Sequence, residues 1–123
     1  MNTLTSNLTR EVIDNKGFIY PKTLADRFHT TVKDVAVLTG ISIHILSKRD
    51  RVRSRGSQQR LHEIVSIINR VTPWCGDAFQ AYAWFRSEPL PGFGGLTAEE
   101  LVKDGRAQAV QGYIASIAEG GYA

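Results

Sequence analysis

Apolar residues recur along this chain at intervals of three and four, and strict alternation appears only briefly, around Phe18 to Tyr20. A period near 3.6 argues for amphipathic helices and against a sheet. Pro21 suits the first position of a helix, which then carries Leu24, Ala25 and Phe28 on one face and ends near His29. Thr31 with Asp34 three residues on resembles a capping box. Val35 and Leu38 continue the apolar stripe to Gly40, where a left-handed stop is open to glycine. Ser42 caps the next predicted helix, expected to run through Ile45 and Leu46 into Lys48-Arg49-Asp50. Arg53 to Gly56 reads as a basic loop, after which Ser57 opens a helix with Leu61, Ile64, Val65 and Ile68 at helical spacing.

The second half has similar punctuation. Thr72-Pro73 reads as a cap followed by a helix-starting proline, which sets Trp74, Ala78, Ala81 and Phe85 close to one face of a helix that stops near Ser87. The run EPLPGFGG, residues 88–95, holds too much proline and glycine to be helical. Thr97 and Glu100 form a stronger capping box, and Asp104-Gly105 ends that short helix. A last helix from about Arg106 buries Val110, Ile114 and Ile117 until Gly120-Gly121, beyond which Tyr122 and Ala123 form an apolar terminal pair. The expected fold is therefore a small all-α protein.

Its 123 residues support one domain, or two very small ones sharing a core. A lone cysteine, Cys75, excludes a disulfide framework and fits a reducing cytoplasm. The opening MNTLTSNLTREVIDNKG lacks the apolar core of a secretory signal, and no stretch approaches the ~18–20 apolar residues of a membrane span. The expectation is a soluble cytoplasmic protein. The net charge of +3 conceals an asymmetry: residues 1–71 hold 12 of the 15 Lys and Arg but only half of the 12 acidic groups. Residues 72–123 carry a net negative charge, so the first half is the candidate for a polyanion.

Residues 32–51, VKDVAVLTGISIHILSKRDR, have the grammar of a helix-turn-helix. Ala36 permits close approach of the second helix, Gly40 makes the turn, Ile41 plugs the core, Ser42 caps and Leu46 anchors. The second helix would offer Ser42, His44, Ser47 and Lys48 to a DNA groove, with Arg49, Arg51, Arg53 and Arg55 on phosphates. Ile43 and Ile45 depart from this pattern, being apolar on a partly exposed helix. Together with Trp74, Phe79 and Tyr82 they raise the expectation of a homodimer.

Catalytic chemistry finds no constellation. His29, His44 and His62 have no partner at metal-ligand spacing, and Cys75 has neither a base nor an oxyanion donor nearby in sequence. Glu99 and Glu100 are accounted for by capping and solvation, and Pro91 to Gly95 lacks the strand and Lys-Ser/Thr of a phosphate loop. A non-enzyme without metal or cofactor is expected.

Residues 81–123 carry a more specific pattern: Trp84 ending a helix, a proline-rich turn into Gly94-Gly95-Leu96-Thr97, a short helix closing on Leu101, a break at Gly105, Val110 in the last helix, and the end Gly120-Gly121-Tyr122-Ala123. This resembles the C-terminal toxin-binding domain of the Xre/MbcA/ParS-type antitoxins, which pair with RES-domain toxins. Residues 21 to about 71 look like the family's Xre-type helix-turn-helix. The implied organisation is an N-terminal segment at 1–16, a helix-turn-helix region at 17–71 and a toxin-binding domain at 72–123.

The resemblance implies a type II antitoxin whose partner toxin consumes NAD and whose own C-terminal end blocks the toxin's active site. Many relatives are dimers and several repress their own promoter. Phe93, Gly94, Gly95, Gly120, Gly121, Tyr122 and Ala123 are the implied toxin contacts. Two other readings stay open: a transcriptional regulator whose C-terminal half dimerises or senses a ligand, and an interaction adaptor whose helix-turn-helix is vestigial.

Overall fold

The computed structural model of the chain describes residues 7–121. They form an all-α protein, with nine α-helices and no strand among the described residues. In order these are α1 (Leu8–Val12), α2 (Pro21–Arg27), α3 (Val32–Thr39), α4 (Ile43–Leu46), α5 (Arg49–Val52), α6 (Arg55–Cys75), α7 (Ala78–Ser87), α8 (Ala98–Lys103) and α9 (Ala107–Ser116). A wide π-type turn, Ile117–Gly121, follows α9. Two isolated antiparallel bridges, Ile13 with Ile19 and Pro89 with Thr97, close the loops after α1 and α7.

The helix α6 is the spine. Its 21 residues span about 30 Å, and Leu61, Ile64, Val65, Ile67, Ile68 and Val71 are buried along it. With so broad an apolar surface, α6 must be covered on several sides. The helices α1, α3, α5, α7, α8 and α9 all pack on it. One continuous core results, running from Leu8 through Phe28 and Phe85 to Ile114.

Several expected starts and stops form as read. Pro21 is the first residue of α2, and Thr31 and Ser42 accept hydrogen bonds from the amides of Asp34 and Ile45, although the Asp34 carboxylate turns to the Thr30 hydroxyl and leaves the expected Thr31–Asp34 box half formed. Both bonds of the Thr97–Glu100 capping box are present. Gly40 adopts the left-handed conformation at φ 73°.

Three boundaries differ. Thr72-Pro73 does not start a helix but lies in the last turns of α6. Val71 and Thr72 are buried, and the Thr72 hydroxyl donates to the Ile68 carbonyl at 2.7 Å. Packing thus carries the helix past a proline that costs it one backbone bond near its end. The true cap is Asp77, whose carboxylate accepts from the Gln80 amide, so Trp74 belongs to α6 while Ala78, Ala81 and Phe85 form the buried face of α7. Arg53 to Gly56 is not a loop throughout. Ser54 caps α6, and Arg55 and Gly56 are helical ahead of Ser57.

The helix expected to run from Ser42 into Lys48-Arg49-Asp50 is split into α4 and α5. At Ser47 the hydroxyl turns back to the Ile43 carbonyl at 2.5 Å, and Lys48 is extended at φ −111°, ψ 115°. Serine competing with the backbone in this way favours a break. The helix α1 was not foreseen. Asn7 caps it, Leu8 and Val12 are buried, and the Leu8 amide donates to Asn69 Oδ1 of α6 at 2.7 Å.

Charged groups join the two halves of the chain. Glu99 of α8 is 6% exposed and accepts from Arg86 Nε of α7 at 2.9 Å and from Lys103 Nζ at 3.1 Å. Arg86 also donates to the Tyr82 hydroxyl and lies 3.6 Å from Asp34 of α3, which accepts from the Thr30 hydroxyl. Burial opposes the Arg86 charge, yet its hydrogen bonds to Glu99 and Tyr82 and the Glu99 charge hold the guanidinium above its ordinary value. A buried carboxylate needs such partners, because an unpaired one costs several kcal/mol.

Candidate nucleic-acid interface

The glycine turn brings α3 and α4 together. The Gly40 amide donates to the Ala36 carbonyl at 2.9 Å and the Ile41 amide to Thr39 Oγ1 at 3.1 Å. Ile41 is half-buried against the core, and Leu46 is buried. Ser42, His44, Ser47 and Lys48 are exposed on and just beyond α4. The one-turn α4 is shorter than the expected helix, so Arg49 and Arg51 project from α5 instead.

These cations are organised by two aromatic residues that the helix-turn-helix reading missed. Arg49 lies over the Tyr20 ring at 4.9 Å from its centroid. Arg53 lies 5.0 Å from the Phe18 centroid and 5.8 Å from that of Tyr20, and its Nε donates to the Tyr20 hydroxyl at 2.7 Å. Stacking leaves the Nη groups able to donate while restricting the rotamers that a phosphate contact would otherwise have to freeze. Arg51 and Arg55 are exposed. None of Lys48, Arg49, Arg51, Arg53 or Arg55 is paired with a carboxylate among the described residues.

The aromatic platform stands on Gln58 of α6, which is 8% exposed. Its Oε1 accepts from the Ile19 amide, and its Nε2 donates to the carbonyls of Ile19 and Val52, each at 2.9 Å. One side chain therefore fixes both the Phe18–Tyr20 segment and the end of α5. The brief alternation in the sequence was its trace: Ile19 points into the core, and its neighbours stay half-exposed. Asp14 completes the support by accepting from the amides of Phe18 at 2.8 Å and Lys16 at 2.9 Å. Its carboxyl is held below the usual range chiefly by the Phe18 bond, against partial desolvation, with help from Lys16 and the nearby Arg53 charge.

The implied toxin contacts lie elsewhere. Gly94 and Gly95 are exposed at φ 65° and 87° in the turn between α7 and α8, which the Leu90 amide closes on the Leu96 carbonyl at 2.9 Å. Phe93 is half-buried, edge-on to Tyr113 of α9 at 6.3 Å with the Arg106 guanidinium 5.8 Å from its ring. Gly120 is exposed at φ 110°, and Gly121 ends the wide turn. Tyr122 and Ala123 lie outside the described residues. Beside Tyr113, a hollow of about 210 Å³ is lined by Trp74, Cys75, Trp84 and Ile117. Burial and then the Asp77 charge push the Cys75 thiol up, which disfavours the thiolate a nucleophile needs.

Gln58→Leu keeps the volume but leaves the Ile19 amide and two carbonyls without their partner. Urea unfolding is expected to report a loss of about 2–3 kcal/mol. A loss below about 0.5 kcal/mol would mean that water satisfies these groups and that Gln58 does not hold the platform.

Comparison of the chain with protein-family models, characterised proteins and solved structures gave no match.

Proposed function

We propose that this chain is the antitoxin of a type II toxin–antitoxin pair, acting in the cytoplasm. Its basic face grips promoter DNA, and its C-terminal end neutralises a RES-domain, NAD-consuming toxin by blocking the active site. The observation that carries the DNA half is the row of cations Lys48, Arg49, Arg51, Arg53 and Arg55, none of which forms an ion pair among the described residues, beside a glycine-turned helix pair with Ser42, His44 and Ser47 exposed. Cations paired within the protein would have to break those pairs to reach phosphate; these need not.

The toxin half rests on the resemblance of residues 81–123, and the local geometry is compatible with it. Trp84 sits on α7, the glycine turn leads into the capped α8 with Leu101 buried, Gly105 breaks the chain at φ 78°, and Val110 is buried in α9. A homodimer is supported by exposed apolar side chains, since Trp74 and Phe79 are each 52% exposed, Ile43 is 39% exposed and Val37 adds to them, whereas Ile45 is half-buried and Tyr82 stacks on Phe28 of the core at 4.4 Å.

Two measurements test the two halves. Binding of the chain to its promoter fragment should weaken with salt, at a slope of about −4 to −5 if five phosphates are neutralised. Arg51→Ala and Arg55→Ala should each lower that slope by about 1 and weaken all sequences alike, while changes at His44 or Ser47 alter preference among sites. Salt-independent binding, or unaltered affinity in the arginine variants, contradicts the assignment.

For the toxin half, deletion of residues 120–123 should leave the melting temperature and DNA affinity nearly unchanged. NAD consumption by a saturated complex with the toxin should then reappear. Complete inhibition by the truncated chain would mean that the tail is not the plug. A full chain that binds DNA yet leaves the toxin untouched would instead be a transcriptional regulator.

A further inference from the structure

The last carbonyls of a helix have no partner within it. At the end of α3, two of them are satisfied from outside the helix-turn-helix. The Thr39 carbonyl accepts from Arg60 Nη1 of α6 at 2.7 Å, and the Val37 carbonyl accepts from Lys103 Nζ of α8 at 3.1 Å. Both lie within three residues of Gly40, where the chain turns. A Cβ on Gly40 would stand 3.3 Å from Cγ and Cδ of Lys103 and 3.6 Å from Arg60 Nη1, so both cationic side chains cross the turn itself. Glycine is favoured there by its positive φ, and a Cβ would also press on the Lys103 stem.

Lys103 is not an ordinary surface lysine. Its ammonium is also held at 3.1 Å by Glu99, one turn earlier on α8, and Glu99 is in turn fixed by Arg86 at 2.9 Å. A solvated lysine gains little from one contact, since both partners bond as well to water. Here the buried carboxylate behind it restricts where the ammonium can go, and the Val37 carbonyl is its other partner. The C-terminal part of the chain thereby reaches into the DNA-reading unit at its hinge.

We propose that Lys103 is a positioning residue for the DNA-reading turn. Through the series Arg86, Glu99, Lys103 and the Val37 carbonyl, α7 and α8 set the angle at which α4 follows α3. The consequence for DNA rests on the reading given above, whereas the latch itself is a matter of structure. A partner that engages α8 and draws Glu99 or Lys103 away would change the affinity for a specific site. By linkage, DNA would change that partner's affinity by the same factor.

The full-length chain carrying Lys103→Met keeps an unbranched stem over Gly40 and loses the ammonium; Lys103→Arg keeps a cationic donor. Two readouts are taken: the amide resonances of Gly40 and Ile41, and affinity for a duplex selected from a random-sequence pool compared with a scrambled duplex. Lys103→Met should shift both resonances and weaken the selected duplex by about tenfold, the effect of one lost charge-assisted hydrogen bond. The scrambled duplex and its salt slope should be unaffected, because the arginine face is intact, and Lys103→Arg should restore both readouts.

Unchanged Gly40 and Ile41 resonances in Lys103→Met overturn the latch, whatever the DNA result. Equal weakening of both duplexes also overturns it, because Lys103 would then be acting as one more surface charge. A wild-type chain that binds neither duplex overturns the DNA reading and with it the functional part of the proposal. The resonances still separate that failure from failure of the latch.

Discussion

Everything in this fold follows from the need to cover α6. A 21-residue helix with six large aliphatic side chains buried between Leu61 and Val71 cannot stand in water. The surrounding helices are mostly short, between four and ten residues, below the length at which isolated helices persist. Each exists because its apolar side rests on α6 or on a neighbour that does. The same helix supplies the polar fixings, with Gln58 on the backbone of Ile19 and Val52, Arg60 on Thr39, and Asn69 on Leu8. Apolar burial gives these contacts their strength, and the polar bonds give them their register.

This arrangement explains how a basic surface can be both exposed and ordered. Flexible arginines lose side-chain entropy when they bind a phosphate. Arg49 and Arg53 already share the Tyr20 ring, and that ring is held through Ile19 by a buried glutamine. The surface thus inherits the stiffness of the core beneath it. At the other end, Arg86, Glu99 and Lys103 connect α7 and α8 to α3, so the acidic and basic parts of the chain are not independent bodies.

The sequence made the helical class legible, because periodicity and caps are local. Pro21, Gly40, Ser42 and the Thr97–Glu100 box each act within four residues and formed as read, while of the Thr31–Asp34 box only the Thr31 cap formed. Errors arose where distant packing overrode a local rule. Pro73 reads as a start only until Val71 and Thr72 are seen to be buried. The split at Ser47 and Lys48 depends on a single hydroxyl choosing the Ile43 carbonyl, which composition does not announce.

The arginine face was visible as charge. Its platform was not, since Gln58 bonds to residues 39 positions away and nothing in its neighbourhood marks it. Phe18 and Tyr20 gave the one hint, a short alternation in an otherwise helical chain. The implied contacts Tyr122 and Ala123 lie outside the described residues, so for them the resemblance alone speaks.

The central claim is that α6 makes one cooperative unit of both halves, and urea unfolding with two local probes tests it most directly. In a Trp74→Phe chain, whose replaced side chain is half exposed, the fluorescence of Trp84 reports on α7, and the amide signals of Leu24 to Phe28 report on α2. A shared core predicts a single midpoint and slope for both probes. Two separated transitions, with one half still folded while the other is open, would contradict the account.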